Sequence, residues 1–115
     1  MTEKQELSES TGLDPAEPLW KRVPTRDDQG HPLSDFMMII PNLRCKPHHL
    51  LQKTIELIRD VLSLYRNIVV FADLNLKLNL LWVSVKPVPG ICLELPAAIK
   101  MQVPEAVLVA QKAHV

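Results

Sequence analysis

Apolar and polar residues alternate along this chain in two different rhythms. The clearest helical rhythm follows "RCKPHH". Leu51, Ile55, Ile58, Val61, Leu62 and Tyr65 recur at three- and four-residue steps, while Gln52, Lys53, Glu56, Arg59 and Asp60 fill the opposite side. That spacing places the apolar side chains on one stripe of an amphipathic helix. Pro47 suits the first turn, where its missing N–H removes no intrahelical bond. Upstream, "DFMMIIPNL" is a continuous apolar run closed by Pro41 and Asn42, which predicts a central strand. Downstream, Phe71, Asp73, Asn75, Lys77 and Asn79 alternate with Ala72, Leu74, Leu76, Leu78 and Leu80. The apolar phase then moves to Leu81, Val83 and Val85. Strand side chains have period two, so a change of phase marks a turn or bulge. The turn is expected around Asn75–Lys77. "ICLELPAAIKMQVP" predicts a second, shorter helix, with Pro96 implying either a kink or a start near residue 95. "EAVLVAQ" predicts a last strand, and the final "KAHV" is expected to fray.

The order strand, helix, strand, strand, helix, strand is that of an α+β, ferredoxin-like βαββαβ sandwich. It implies a four-stranded antiparallel sheet in the order 4-1-3-2, with two helices on one face. The other face is then bare, and domains of this layout cover it by dimerising or with an extra segment. The resemblance is to a topology, and a topology alone does not specify a function.

Residues 1–34 read differently. They hold four of the ten prolines and two of the three glycines, and seven acidic residues face four basic ones. Low hydrophobicity with clustered charge predicts a largely disordered N-terminal tail, followed by a domain at 35–115. Within the tail, "EPLWKRVP" groups Leu19, Trp20 and Val23, which suits an anchor on the parent domain or on a partner.

Composition removes some function classes. The formal net charge is zero and aromatics are 4% of residues, so a nucleic-acid partner is not expected. RNA recognition motifs share the topology, but only Phe36 and Trp82 fall on the matching strands, without that family's basic-Gly-aromatic signature. No apolar run reaches membrane-span length, so no membrane partner is expected. Two cysteines are too few for a disulfide framework and fit a cytoplasmic address.

Candidate chemistry concentrates in "RCKPHHL". Cys45, His48 and His49 would lie in the first strand–helix loop. Small metal-carrier domains of this layout bind soft metals there through Met-x-Cys-x-x-Cys, a motif this chain lacks. Thiolate and imidazole suit Zn or Cu, yet a stable site takes three or four ligands. The competing reading makes them polar residues at a helix start. A third makes Cys45 a reactive thiol, activated by the helix terminus, Arg44 and Lys46. No Ser-His-acid arrangement and no Gly-rich phosphate loop stands in the sequence. Asp73 is expected to cap a turn or face water. No cofactor is expected.

The function expected is therefore a small non-catalytic binding, regulatory or assembly module, working as a homodimer or with a protein partner. Trp20, Leu76, Leu78 and Trp82 are the expected partner or ligand surface. A metal-binding protein using Cys45, His48 and His49 is the alternative. A small enzyme with its pocket on the open sheet face is a second one.

Overall fold

The computed structural model describes residues 7–10 and 29–113 of the 115-residue chain, with backbone alone for 7–10 and 110–113. The elements are β1 (Leu7–Ser10), β2 (Ser34–Ile39), a 3₁₀ turn (Leu43–Cys45), α1 (His48–Leu64), β3 (Val69–Asn75), β4 (Leu80–Val85), α2 (Ile91–Gln102) and β5 (Val107–Ala113).

The sheet order is β1-β3-β4-β2-β5. β3, β4, β2 and β5 pair antiparallel throughout, which is the four-stranded ferredoxin-like unit the sequence predicts. β1 adds a fifth strand, parallel to β3, with Leu7 opposite Ala72 and Ser10 opposite Asn75. This strand falls inside the expected tail. Tail positions 1–6 and 11–28, Trp20 among them, lie outside the described residues.

Register decides which residues meet the helices. Phe36 pairs with Val83 and Met38 with Leu81. On the other side of β4, Ala72 pairs with Val83 and Leu74 with Leu81. All six are buried in one cluster with Ile55, Ile58, Val61 and Leu62 of α1 and Ile91, Leu95 and Ile99 of α2. Burying each such side chain contributes roughly 1.5–3 kcal/mol relative to exposure. Both helices therefore lie on the face that carries Phe36, Leu81 and Val83.

α1 matches its stripe. Ile55, Ile58, Val61 and Leu62 are buried, and the five polar positions are exposed. Thr54 is also buried and satisfies its hydroxyl by donating to the Leu50 carbonyl at 2.9 Å. Pro47 stands one place earlier than expected, as the N-cap. α2 begins at Ile91, after Gly90 at φ 80, so Pro96 sits inside the helix rather than at its start. A helix-interior proline forfeits one backbone bond. Here Pro96 is buried, so its ring is packed rather than left in water.

The β3–β4 turn lies at Leu76–Asn79, slightly later than expected. Two asparagine side chains set it. Asn75 Oδ1 accepts the Leu78 N–H at 3.1 Å. Asn79 takes φ 55, a left-handed conformation that asparagine tolerates better than most residues. Its carbonyl accepts the Ile40 N–H at 2.9 Å, and its Oδ1 accepts the Arg44 N–H at 3.0 Å. The hairpin turn is thereby tied to the exit of β2 and to the 3₁₀ turn. β5 extends to Ala113, so Lys112 and Ala113 are paired in the sheet, where fraying was expected.

Candidate functional site

The expected loop cluster is open and sparse. Cys45 ends the 3₁₀ turn and is an exposed free thiol. His48 and His49 are exposed in the first turn of α1. Neighbouring Lys46 pairs with Glu105 at 3.1 Å. Among the described residues, no group of three or more His, Cys, Asp or Glu side chains could hold a metal ion. Cys92, the second thiol, is half-buried with Sγ 3.8 Å from the Asp35 carbonyl. Burial pushes its pKa up, and the charge of Asp35 adds to the rise, so the less reactive thiol form is favoured.

The sheet face turned away from the helices is richer. Alternation places Asp35, Met37 and Ile39 of β2 there, next to Ser84, Trp82 and Leu80 of β4. Phe71, Asp73 and Asn75 of β3 continue the same rows. Val107 of β5 stands opposite Ile39. A register shift between Met37 and Met38 makes Val109 a bulge residue.

This face has two unlike halves. Toward β5, Ile39 is 37% exposed, Val107 46% and Val109 49%. Toward β3, Asp73 and Ser84 are each 0% exposed. The expectation that Asp73 faces water or caps a turn is therefore corrected: it is an interior residue on a central stretch of β3. Trp82 lies between the halves, opposite both Met37 and Asp73. Its ring is half-buried, and its Nε1 is buried with no hydrogen-bond partner among the described residues. The Ser84 Oγ is buried in the same condition. A nucleophilic serine needs a base within hydrogen-bond reach. Ser84 has none among the described residues.

The other expected surface residues separate. Leu76 is half-buried against the core, and Leu78 is 58% exposed, both in the β3–β4 turn rather than on a shared strand face with Trp82. Ile39, Val107, Val109 and Ser84 were not singled out from sequence. The alternation of Val107 and Val109 in an uncharged run was the available signal, but it needs the strand order to become a surface.

No protein-family model, no curated protein and no solved structure matches this chain.

Proposed function

We propose that the protein is a non-catalytic assembly module that associates with a second copy of itself through β5 and the apolar row beside it. The observation that carries this reading is the row Leu80–Ile39–Val107. It is made by two direct cross-strand pairs and is exposed at its β5 end. β5 is an edge strand whose outer side pairs with no strand among the described residues. Its sequence carries no charge between Glu105 and Lys112. Soluble domains usually blunt such edges with lysine or proline, because unpaired peptide groups template pairing with another chain. A two-fold axis beside β5 would extend the sheet and bring both copies' Ile39–Val107 rows together, a self-complementary contact. Two free cysteines, one exposed, fit a reducing compartment such as the cytoplasm.

Sedimentation velocity tests the reading. The wild-type protein is expected at twice its 13.0 kDa chain mass. Ile39→Lys and Val107→Lys place charge on exposed positions and are expected to sediment as folded monomers. A wild-type monomer at every concentration, or dimers in both variants, would overturn the association. A monomer that binds a different protein through the same row would leave the module reading and remove the self-assembly.

A further inference from the structure

We infer that β1 guards the β3 edge of the sheet, and that its release turns β3 into a second pairing site for another copy of this chain. β3 has the composition of an interior strand. Residues 68–76 read Ile-Val-Val-Phe-Ala-Asp-Leu-Asn-Leu, with one charged residue and no lysine, proline or glycine. That charged residue, Asp73, is fully buried. Ile68, Val69, Val70 and Phe71 are all β-branched or aromatic, the kind of run that pairs with other chains when its edge is open. Lysine, proline or an inward charge at exposed edge positions would blunt such a strand, and β3 has none of these. A cover is the remaining device.

β1 supplies that cover. It lies outside β3 in the strand order and pairs with it from Ala72 to Asn75. Ala72, Asp73 and Leu74, within the paired stretch, are buried, whereas Val70 and Phe71, just before it, are half-buried. β1 also has the marks of a blunted edge. Its four residues, Leu-Ser-Glu-Ser, are fewer than a usual strand and include three polar side chains, one of them charged. The two edges of the sheet are thus treated differently. β5 presents seven residues and β1 four. Association is thereby directed to β5 and kept away from β3.

The same brevity makes the guard separable. A parallel ladder is somewhat less stable per residue than an antiparallel one, and serine and glutamate favour strands poorly. The antiparallel β3–β4 ladder and the helix-facing core residues Ala72 and Leu74 do not need β1 to form. Once β1 leaves, the freed peptide groups of β3 require new partners. A second copy's β3 satisfies them about a two-fold axis, which makes the contact self-complementary. With that axis at Ala72, Phe71 falls opposite Asp73, so no like charges oppose each other. The guard depends on the β1–β3 pairing alone. It extends the β5 reading by naming what confines association to that edge.

Sedimentation velocity of the full chain tests the guard. Ser8→Pro with Glu9→Pro removes a backbone donor on either phase of the β1 ladder. The pair is made in the unsubstituted chain and in Val107→Lys, where the β5 contact is weakened. In both, the mass is expected to rise at least about twofold above the parent's. Ser8→Ala with Glu9→Ala keeps every backbone donor and is expected to sediment as its parent does. An unchanged mass in the proline pair, or the same rise in the alanine pair, would overturn the guard. A proline pair that unfolds, seen as loss of slow amide exchange in β2 and β4, would make β1 integral to the fold and overturn it equally. Hydrogen exchange on Val107→Lys alone gives an independent readout. The slowest amide of Leu7–Ser10 is expected to exchange at least about tenfold faster than the slowest of β2 and β4, because β1 opens locally. Equal rates would show that β1 leaves only when the whole domain unfolds, against the guard. An unsubstituted chain that sediments as a monomer removes the β5 association, while the rise caused by the proline pair still decides the guard.

Discussion

Asp73 and Trp82 stand directly opposite each other on β3 and β4, on the sheet face without helices, and the carboxylate of the pair is wholly buried. A half-buried indole beside a hidden carboxyl group is unusual on a face that topology leaves bare. Polar groups lost from water cost free energy unless they are paired, and the neighbours of Asp73 differ in how that cost is met.

Ser84 gives the most direct check. Its hydroxyl is buried without a hydrogen-bond partner among the described residues. Ser84→Ala is expected to leave stability unchanged or raise it by up to about 1–3 kcal/mol, since an unpartnered hydroxyl no longer needs desolvation. Urea unfolding measures this. A clear loss of stability would mean that the Ser84 Oγ is hydrogen-bonded in solution. Trp82→Phe removes an N–H that has no hydrogen-bond partner among the described residues, keeps most of the ring, and is expected to cost little beyond its lost ring area.

Asn79 holds the hairpin turn to the rest of the fold. Its side-chain oxygen accepts the Arg44 N–H, and its φ is 55. Asn79→Gly keeps the backbone conformation and loses only the side-chain bond. Asn79→Ala loses the bond and adds left-handed strain of about 1 kcal/mol. Alanine is expected to destabilise more than glycine in paired urea titrations, and the reverse order would show that the turn relaxes to another conformation.

The chain's single tyrosine makes a pH prediction readable by ultraviolet absorbance. The Tyr65 hydroxyl donates to Glu94 Oε2 at 3.0 Å, linking the end of α1 to α2. This bond raises the phenol's pKa, and desolvation and the Glu94 charge add to it. The sign follows from which form is held: the folded state favours the protonated phenol. Its contribution is complete below the ordinary tyrosine range and is lost as pH rises through the folded value. The titration midpoint of the native protein is expected above that of free tyrosine, and Glu94→Gln is expected to bring it down. An unchanged midpoint in the variant would show that the two groups do not meet in solution.

Glu105 predicts the acid side. A bond from its own backbone N–H is the larger cause that lowers its pKa, and Lys46 adds to it. A lowered carboxylate pKa contributes stability above the unfolded value, which is lost as pH falls through the folded one. Lys46→Met is expected to raise the Glu105 midpoint in a carboxyl-carbon titration. The change in stability is expected to be small, because both side chains are partly exposed.

Core truncation separates these surface effects from the fold itself. Ile58→Ala on α1 removes a fully buried side chain that packs between helix and sheet. A loss of about 2–5 kcal/mol is expected in chemical denaturation.

α1 was legible because it rests on local periodicity, and the order of the four antiparallel strands because right-handed crossovers restrict it. Ile55, Ile58 and Leu62 meet the core wherever a helix of that pattern lies on a sheet. The hairpin position was less legible, because no Asn-Gly marks it and the left-handed residue is Asn79. Cys45, His48 and His49 were visible as a spacing. Three potential ligands close in sequence on an exposed turn and helix start do not converge as ligands unless the backbone folds them together.

By itself, then, the sequence determined α1, α2, β2, β3, β4 and β5, their order and the helix-facing core, but not β1, because each of those elements follows from a period of two or 3.6 residues and a few turn residues. Only the tertiary structure decided that Asp73 is interior while Ile39 and Val107 meet solvent. All three occupy the same kind of alternating position on a strand. Their exposure differs with strand position: Asp73 lies on β3 between β1 and β4, while Ile39 and Val107 lie toward the β5 edge, and the strand order is not set by neighbours in sequence.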